Sequence, residues 1–271
     1  MESSSVRVLL LRTAGTNCDR ELSSAFERAG AAVEVVHIHR LLANPEQLAD
    51  FHILGIPGGF SYGDDIASGK ILANELLHHL RAPLDQFVRD GKMILGVCNG
   101  FQVLVKAGLL PGPMPQLKPT DVFTTTLTHN AQARFEDRWV RLKSQSSLCK
   151  WIEAGQSLLL PVAHGEGRFA VRESAVMEAL KTNDQIVFRY VTEAGMPAVD
   201  FPDNPNGSAD AIAGICDITG RVLGLMPHPE RFIDVTRHPF WTRLNAPRKP
   251  DGLQLFENAV RYIHRSMAVS V

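Results

Sequence analysis

Long apolar runs are missing from this 271-residue chain. The longest, such as Val8–Leu11 and Leu158–Val162, fall far short of the roughly 20 residues that cross a bilayer, so no membrane span is expected. An excess of one charge is missing too. Against 28 Lys and Arg stand 29 Asp and Glu, a net charge of −1 that offers no broad attraction for nucleic acid or an anionic membrane. Cysteine is scarce, and Cys18, Cys98, Cys149 and Cys216 form no CxxC or Cys/His spacing, so no metal site is expected. The opening MESSSVRV has no basic n-region and no long apolar h-region, so it does not read as a secretory signal. With widely spaced thiols, that makes reduced cysteines in a cytoplasmic protein the expectation. No GxxxxGK[ST] or GxGxxG occurs, which leaves no phosphate loop. Neither a repeat nor a linker-like stretch divides the chain, so 1–271 is read as one domain.

What is present is a large apolar share, 45%, and a regular alternation of elements. Val6–Leu11, Ala32–Val36 and Phe51–Ile56 read as buried strands, and Asp19–Ala29 as a helix stopped by Gly30. Ile66–Val88 reads as one or two helices broken near Pro83. Such alternation predicts a mostly parallel, doubly wound α/β sheet flanked by helices, with its crevice at the carboxyl ends of the strands. After Gly108, prolines at 111, 113, 115 and 119 mark an irregular connection. Segments 121–128 and 138–143, strands at 158–163 and 185–192, and a hairpin turning at Thr219-Gly220 form an additional β region. The segment 232–252 is polar and irregular, and an amphipathic helix follows at about 253–265.

The chemistry concentrates in Gly91–Gly108. Met93–Val97 is a short apolar strand, and Phe101, Leu104, Val105 and Ala107 have the spacing of a one-faced helix. Cys98 falls at the turn between them, flanked by Gly96 and Gly100, where an elbow would hold a nucleophile. A helix N-terminus favours thiolate, and the N–H of Asn99 is placed to hold an oxyanion. The plain alternative, a small buried thiol, is what most cysteines are; the glycines and the strand-to-helix switch argue against it. A cysteine nucleophile needs a base and an orienting acceptor. Pro227-His228-Pro229-Glu230 supplies both, because residues i and i+2 of an extended segment point the same way. Gly58-Gly59, directly after a strand, lets the backbone approach a ligand. His78-His79 and His37/His39 read as surface positions, and His164 stands among glycines.

Gly-Val-Cys98-Asn-Gly-Phe-Gln102 with Pro-His228-Pro-Glu230 resembles the class I, triad glutamine amidotransferases, whose sheet is flavodoxin-like. The resemblance is closer to the glutaminase subunits of phosphoribosylformylglycinamidine synthases. It is carried by Gly15–Asp19, Pro57–Asp64, Arg134–Val140, Ala163–Phe169, Asn204–Ser208 and Gly224–Arg231, which span most of the chain. Thr16 stands where Ser is common, and 232–252 looks longer than in compact bacterial members. The resemblance implies Cys98 as nucleophile, His228 and Glu230 as base and orienter, and the N–H groups of Gly59 and Asn99 as oxyanion hole. It implies glutamine contacts at Gly58, Gln102, Asn130 and Phe135. It also implies ammonia transfer to a synthetase subunit that binds ATP and Mg²⁺, with a small third subunit; this chain itself needs no cofactor. The 164–169 and 204–208 loops are expected to face that partner. A non-catalytic partner of a synthetase and a cysteine hydrolase acting on another amide are the competing readings.

Overall fold

A computed structural model describes residues 5–118, 123–243 and 249–269. Pro119, the start of the 121–128 segment and 244–248 of the irregular stretch lie outside the described residues. The first half alternates as the apolar pattern predicts: β1 (Arg7–Arg12), α1 (Asp19–Arg28), β2 (Ala32–His37), α2 (Ile38–Ala43), β3 (Ile53–Ile56), α3 (Lys70–His79), α4 (Arg81–Arg89), β4 (Met93–Val97) and α5 (Asn99–Lys106). The predicted break near Pro83 lies at Leu80, and Pro83 sits in the first turn of α4, where a missing N–H costs nothing. The second half holds β5 (Thr125–Thr128), β6 (Glu136–Ser144), β7 (Ser157–His164), β8 (Arg168–Val171), α6 (Ser174–Thr182), β9 (Ile186–Tyr190), β10 (Ile212–Cys216), β11 (Val222–Leu225) and α7 (Leu253–Val269).

Nine strands form one sheet in the order β2-β1-β3-β4-β11-β10-β9-β6-β7. From β2 to β11 the neighbours run parallel. From β11 to β7 they run antiparallel. Most strands of the additional β region continue the main sheet, and among the described residues β5 and β8 pair in a second, two-stranded sheet. β3, β4 and β11 are buried throughout, because helices cover both faces. β7 alternates, with Leu158, Leu160, Val162 and His164 buried. On α1, Leu22, Ala25 and Phe26 face inward, and Phe26 meets Phe256 of α7 edge-on at 4.9 Å. Among the described residues, no helix is long and apolar enough to cross a membrane.

Candidate active site

Parallel pairing aligns the carboxyl ends of β3, β4 and β11. Ile56 lies opposite Gly96, and Leu225 opposite Val97. The chain leaving β3 is Pro57-Gly58-Gly59, that leaving β4 is Cys98, and that leaving β11 runs through Met226 to His228. Three segments distant in sequence thus open onto one edge of the sheet.

Cys98 occupies φ 52°, ψ −106°. A non-glycine residue pays about 1–3 kcal/mol for such backbone, and persists there only when its surroundings enforce it. They do: its N–H donates to Leu225 O at 2.8 Å, and its carbonyl accepts from Gln102 N at 3.1 Å. The flanking glycines are steric necessities. A Cβ on Gly96 would lie 2.6 Å from Gly100 O, and one on Gly100 only 1.9 Å from Ile56 O. Without side chains at 96 and 100, α5 begins directly against the ends of β3 and β4. The first N–H of α5, that of Asn99, has no carbonyl within its helix to meet.

His228 and Glu230 are buried, 1% and 0% exposed. The imidazole Nδ1–H donates to Glu230 Oε1 at 2.6 Å, which leaves Nε2 as the ring's second nitrogen, without a hydrogen-bond partner among the described residues. The pair meets through a 3₁₀ turn at Pro229–Arg231, not along an extended strand as expected. Burial opposes charge on the ring, yet the Glu230 carboxylate, then the Cys98 sulfur, hold its pKa well above the usual value. An imidazole with that bias accepts a proton readily.

A cavity of about 220 Å³ opens here, lined by Cys98 and His228 together with Gly59, Gln102, Phe135 and Glu166, among others. Its far wall is the turn after β7. That turn is held by side-chain amides. Asn130 donates to Arg134 O and His164 O, and its oxygen accepts from Gly167 N at 3.0 Å and lies 3.1 Å from His164 Nδ1. Asn206 donates to Gly167 O at 2.9 Å and to the Tyr190 hydroxyl. Burial drives the His164 pKa down to about 4, and the nearby His228 adds to the effect, so His164 is neutral. A second chain of bonds ties the walls together: Asn99 donates to Asp64 and to Gln102 Oε1, and Gln102 Nε2 donates to Glu166 O at 2.6 Å.

Residues 5–263 match the CobB/CobQ-like glutamine amidotransferase domain. The chain belongs to this family. Relatives of this amidotransferase include phosphoribosylformylglycinamidine synthase subunit PurQ of Dehalococcoides mccartyi, 45% identical over 96% of this chain and 98% of the relative. The subunit PurQ of Methanococcus maripaludis is 42% identical, with 96% and 98% covered. Among solved structures, PurLQS from Thermotoga maritima contains a chain that superposes with a TM-score of 0.70 at 27% identity, covering 96% of this chain and 99% of that one.

Of the amidotransferase residues singled out from sequence, Cys98, His228 and Glu230 come together, with Gly59 on the cavity wall. Gly58 abuts them: a Cβ there would lie 2.9 Å from His228 Cε1. Phe135 stands half exposed on the cavity wall. Gln102 lines the cavity, but its amide is already engaged at both ends. Asn130 requires a correction. It lies behind the wall, its amide spent on the β7 turn, and does not face the cavity. In the 204–208 loop, Asn204, Asn206 and Ser208 are buried and hydrogen-bonded within the fold, while Gly207 is exposed.

Cys18 and Arg231 also line the cavity, and sequence reading passed them over. The available signal was position: Cys18 follows the carboxyl end of β1, the neighbour of β3. Sulfur, ring nitrogen and carboxylate oxygen of Cys18, His228 and Glu230 lie within 4.8 Å of one another, a donor set that suits zinc on chemistry alone. The Arg231 guanidinium, 3.2 Å from the Cys18 sulfur, already places a positive charge there.

Proposed function

We propose that this chain is the glutaminase subunit of phosphoribosylformylglycinamidine synthase, with Cys98, His228 and Glu230 as its triad. The observation that carries the reading is a strained cysteine at a helix start sharing a cavity with a buried, carboxylate-bound imidazole. In this mechanism His228 Nε2 takes the Cys98 thiol proton, and the sulfur attacks the side-chain amide carbon of glutamine. The carbonyl electron pair moves onto oxygen, where the N–H groups of Gly59 and Asn99 stabilise it; one such donor is worth about 10²–10³ in rate. Collapse breaks the C–N bond, the imidazolium returns its proton, and ammonia leaves. Water then hydrolyses the thioester to glutamate by the same proton route.

Ammonia passes to the synthetase subunit, which uses ATP to convert formylglycinamide ribonucleotide to the amidine; a small third subunit accompanies the pair. The 40–45% identity to several PurQ subunits across nearly the whole chain supports this partner assignment. We read 1–271 as one amidotransferase domain, with 232–252 as an irregular extension. Four free cysteines accord with a cytoplasmic location. The test is glutamate release from glutamine by the chain assembled with its synthetase, ATP and formylglycinamide ribonucleotide. Cys98→Ala is expected to lower it by about 10⁴-fold or more. Turnover that survives this substitution would remove the mechanism, and peptide hydrolysis without the partner would favour a different hydrolase.

A further inference from the structure

Cys18 lines the same cavity, yet the reaction above makes no use of it. It is 1% exposed and caps the start of α1, where its backbone N–H donates to Gly58 O at 3.2 Å. Its thiol donates to Asn17 Oδ1 at 3.0 Å, and Arg231 Nη2 donates to its sulfur at 3.2 Å. With its only proton committed, the sulfur has acceptor capacity alone to offer its other neighbours. One of those is the His228–Glu230 pair, within 4.8 Å. Gly58 makes the meeting possible. A Cβ there would lie 2.9 Å from His228 Cε1, 3.2 Å from the Cys18 sulfur and 3.5 Å from Cys98 Cβ, so all three groups converge on the face left bare. His228 Nε2, fully buried, has no hydrogen-bond partner among the described residues.

We infer that Cys18 is a positioning residue for His228: its sulfur, kept an acceptor by Asn17 and Arg231, steadies the imidazolium that forms when the ring takes the Cys98 proton. The inference rests on the glutaminase reading. Cys18 neither gains nor loses a proton. The proton that leaves Cys98 resides on Nε2 and departs with ammonia. Five side chains face the ring or its charge: Cys98 from the start of α5, Cys18 from the start of α1, Glu230 and Arg231 from the ring's own turn, and His164 from β7. Glu230, Cys98 and Cys18, in that order, favour the charged ring; burial opposes it. Arg231 spends a donor on the Cys18 sulfur, and His164 is neutral.

The experiment is steady-state glutaminase kinetics of the assembled complex across pH, with wild type, Cys18→Ala and Cys18→Ser. Cys18→Ala is expected to lower kcat about tenfold, through loss of the polarisable sulfur beside the charged ring, with little change in KM. Its kcat–pH profile should move toward lower pH, because the ring loses an influence that raises its pKa. Cys18→Ser retains an acceptor and should recover most of both effects. A loss of activity with an unmoved profile and no recovery by Ser would assign Cys18 to packing and overturn the inference. Full activity of Cys18→Ala would overturn it as well. A wild type that releases no glutamate would overturn the glutaminase reading itself, a result distinct from either.

Discussion

β3, β4 and β11, in the parallel half of the sheet, carry no polar side chain at all, whereas β6 and β7, at the antiparallel end, lead into a buried assembly of Asn130, His164, Asn206 and Ser208. Both halves contribute walls to one cavity. The parallel half sets its residues by backbone register and by glycines that let chains touch. The antiparallel half sets its turn by amides and a neutral imidazole. Two kinds of rigidity therefore meet at the site, and they should fail in different ways: one when a methyl is added, the other when a hydrogen bond or a proton balance is changed.

Gly100→Ala tests the first kind and should have the largest effect. Its Cβ would meet backbone, Ile56 O at 1.9 Å, which no rotamer relieves. A loss of about 4 kcal/mol or more is expected in denaturant unfolding. A near-native midpoint would show that α5 can retreat from β3, and the contrast between the halves would collapse.

Protonation of the other half comes next. His164, with its pKa lowered from 6.5 to about 4, stays neutral in the fold while the unfolded chain protonates. Its contribution is fully present above pH 6.5 and is lost as pH falls from there toward 4, up to about 3 kcal/mol. Unfolding free energies across that range should fall more steeply for wild type than for His164→Gln. Equal slopes would mean that the ring gains a proton partner on acidification.

Asn206→Ala should cost least, about 1–3 kcal/mol, through the lost hydrogen bonds to Gly167 O and from the Ser208 N–H and hydroxyl. The glutamine KM of the assembled complex should rise while the activity of the bound complex changes little. A fall in kcat alone would place Asn206 nearer the chemistry than its hydrogen bonds suggest.

The strand–helix alternation, the elbow around Cys98 and the His228/Glu230 pair were legible because each is a local signal: apolar period, glycine spacing, or two polar residues two positions apart, although the pair meets in a turn and not in the extended segment expected. The additional β region was legible as strands, but its attachment to the main sheet was not, because a half-buried strand carries no label for its neighbour. Asn130 was misplaced for a similar reason. An asparagine in a polar loop looks free to bind, and only His164 and Gly167, more than 30 residues on, show its amide to be occupied. Cys18 lies in the Gly15–Asp19 segment that carries the resemblance, but its neighbourhood of Arg231 and His228, more than 200 residues on, is visible in the fold alone.

The amino-acid sequence by itself determined the tight turn at Cys98, the closeness of His228 to Glu230, and the run of elements that carries them, because steric need and hydrophobic period act over a few residues. Only the tertiary structure decided that β11 lies beside β4, which brings residue 228 to residue 98, and that Cys18, Arg231 and the His164 turn close the cavity around them. Strand order and side-chain satisfaction across long separations are settled by packing the whole sheet at once, and no single segment encodes that choice.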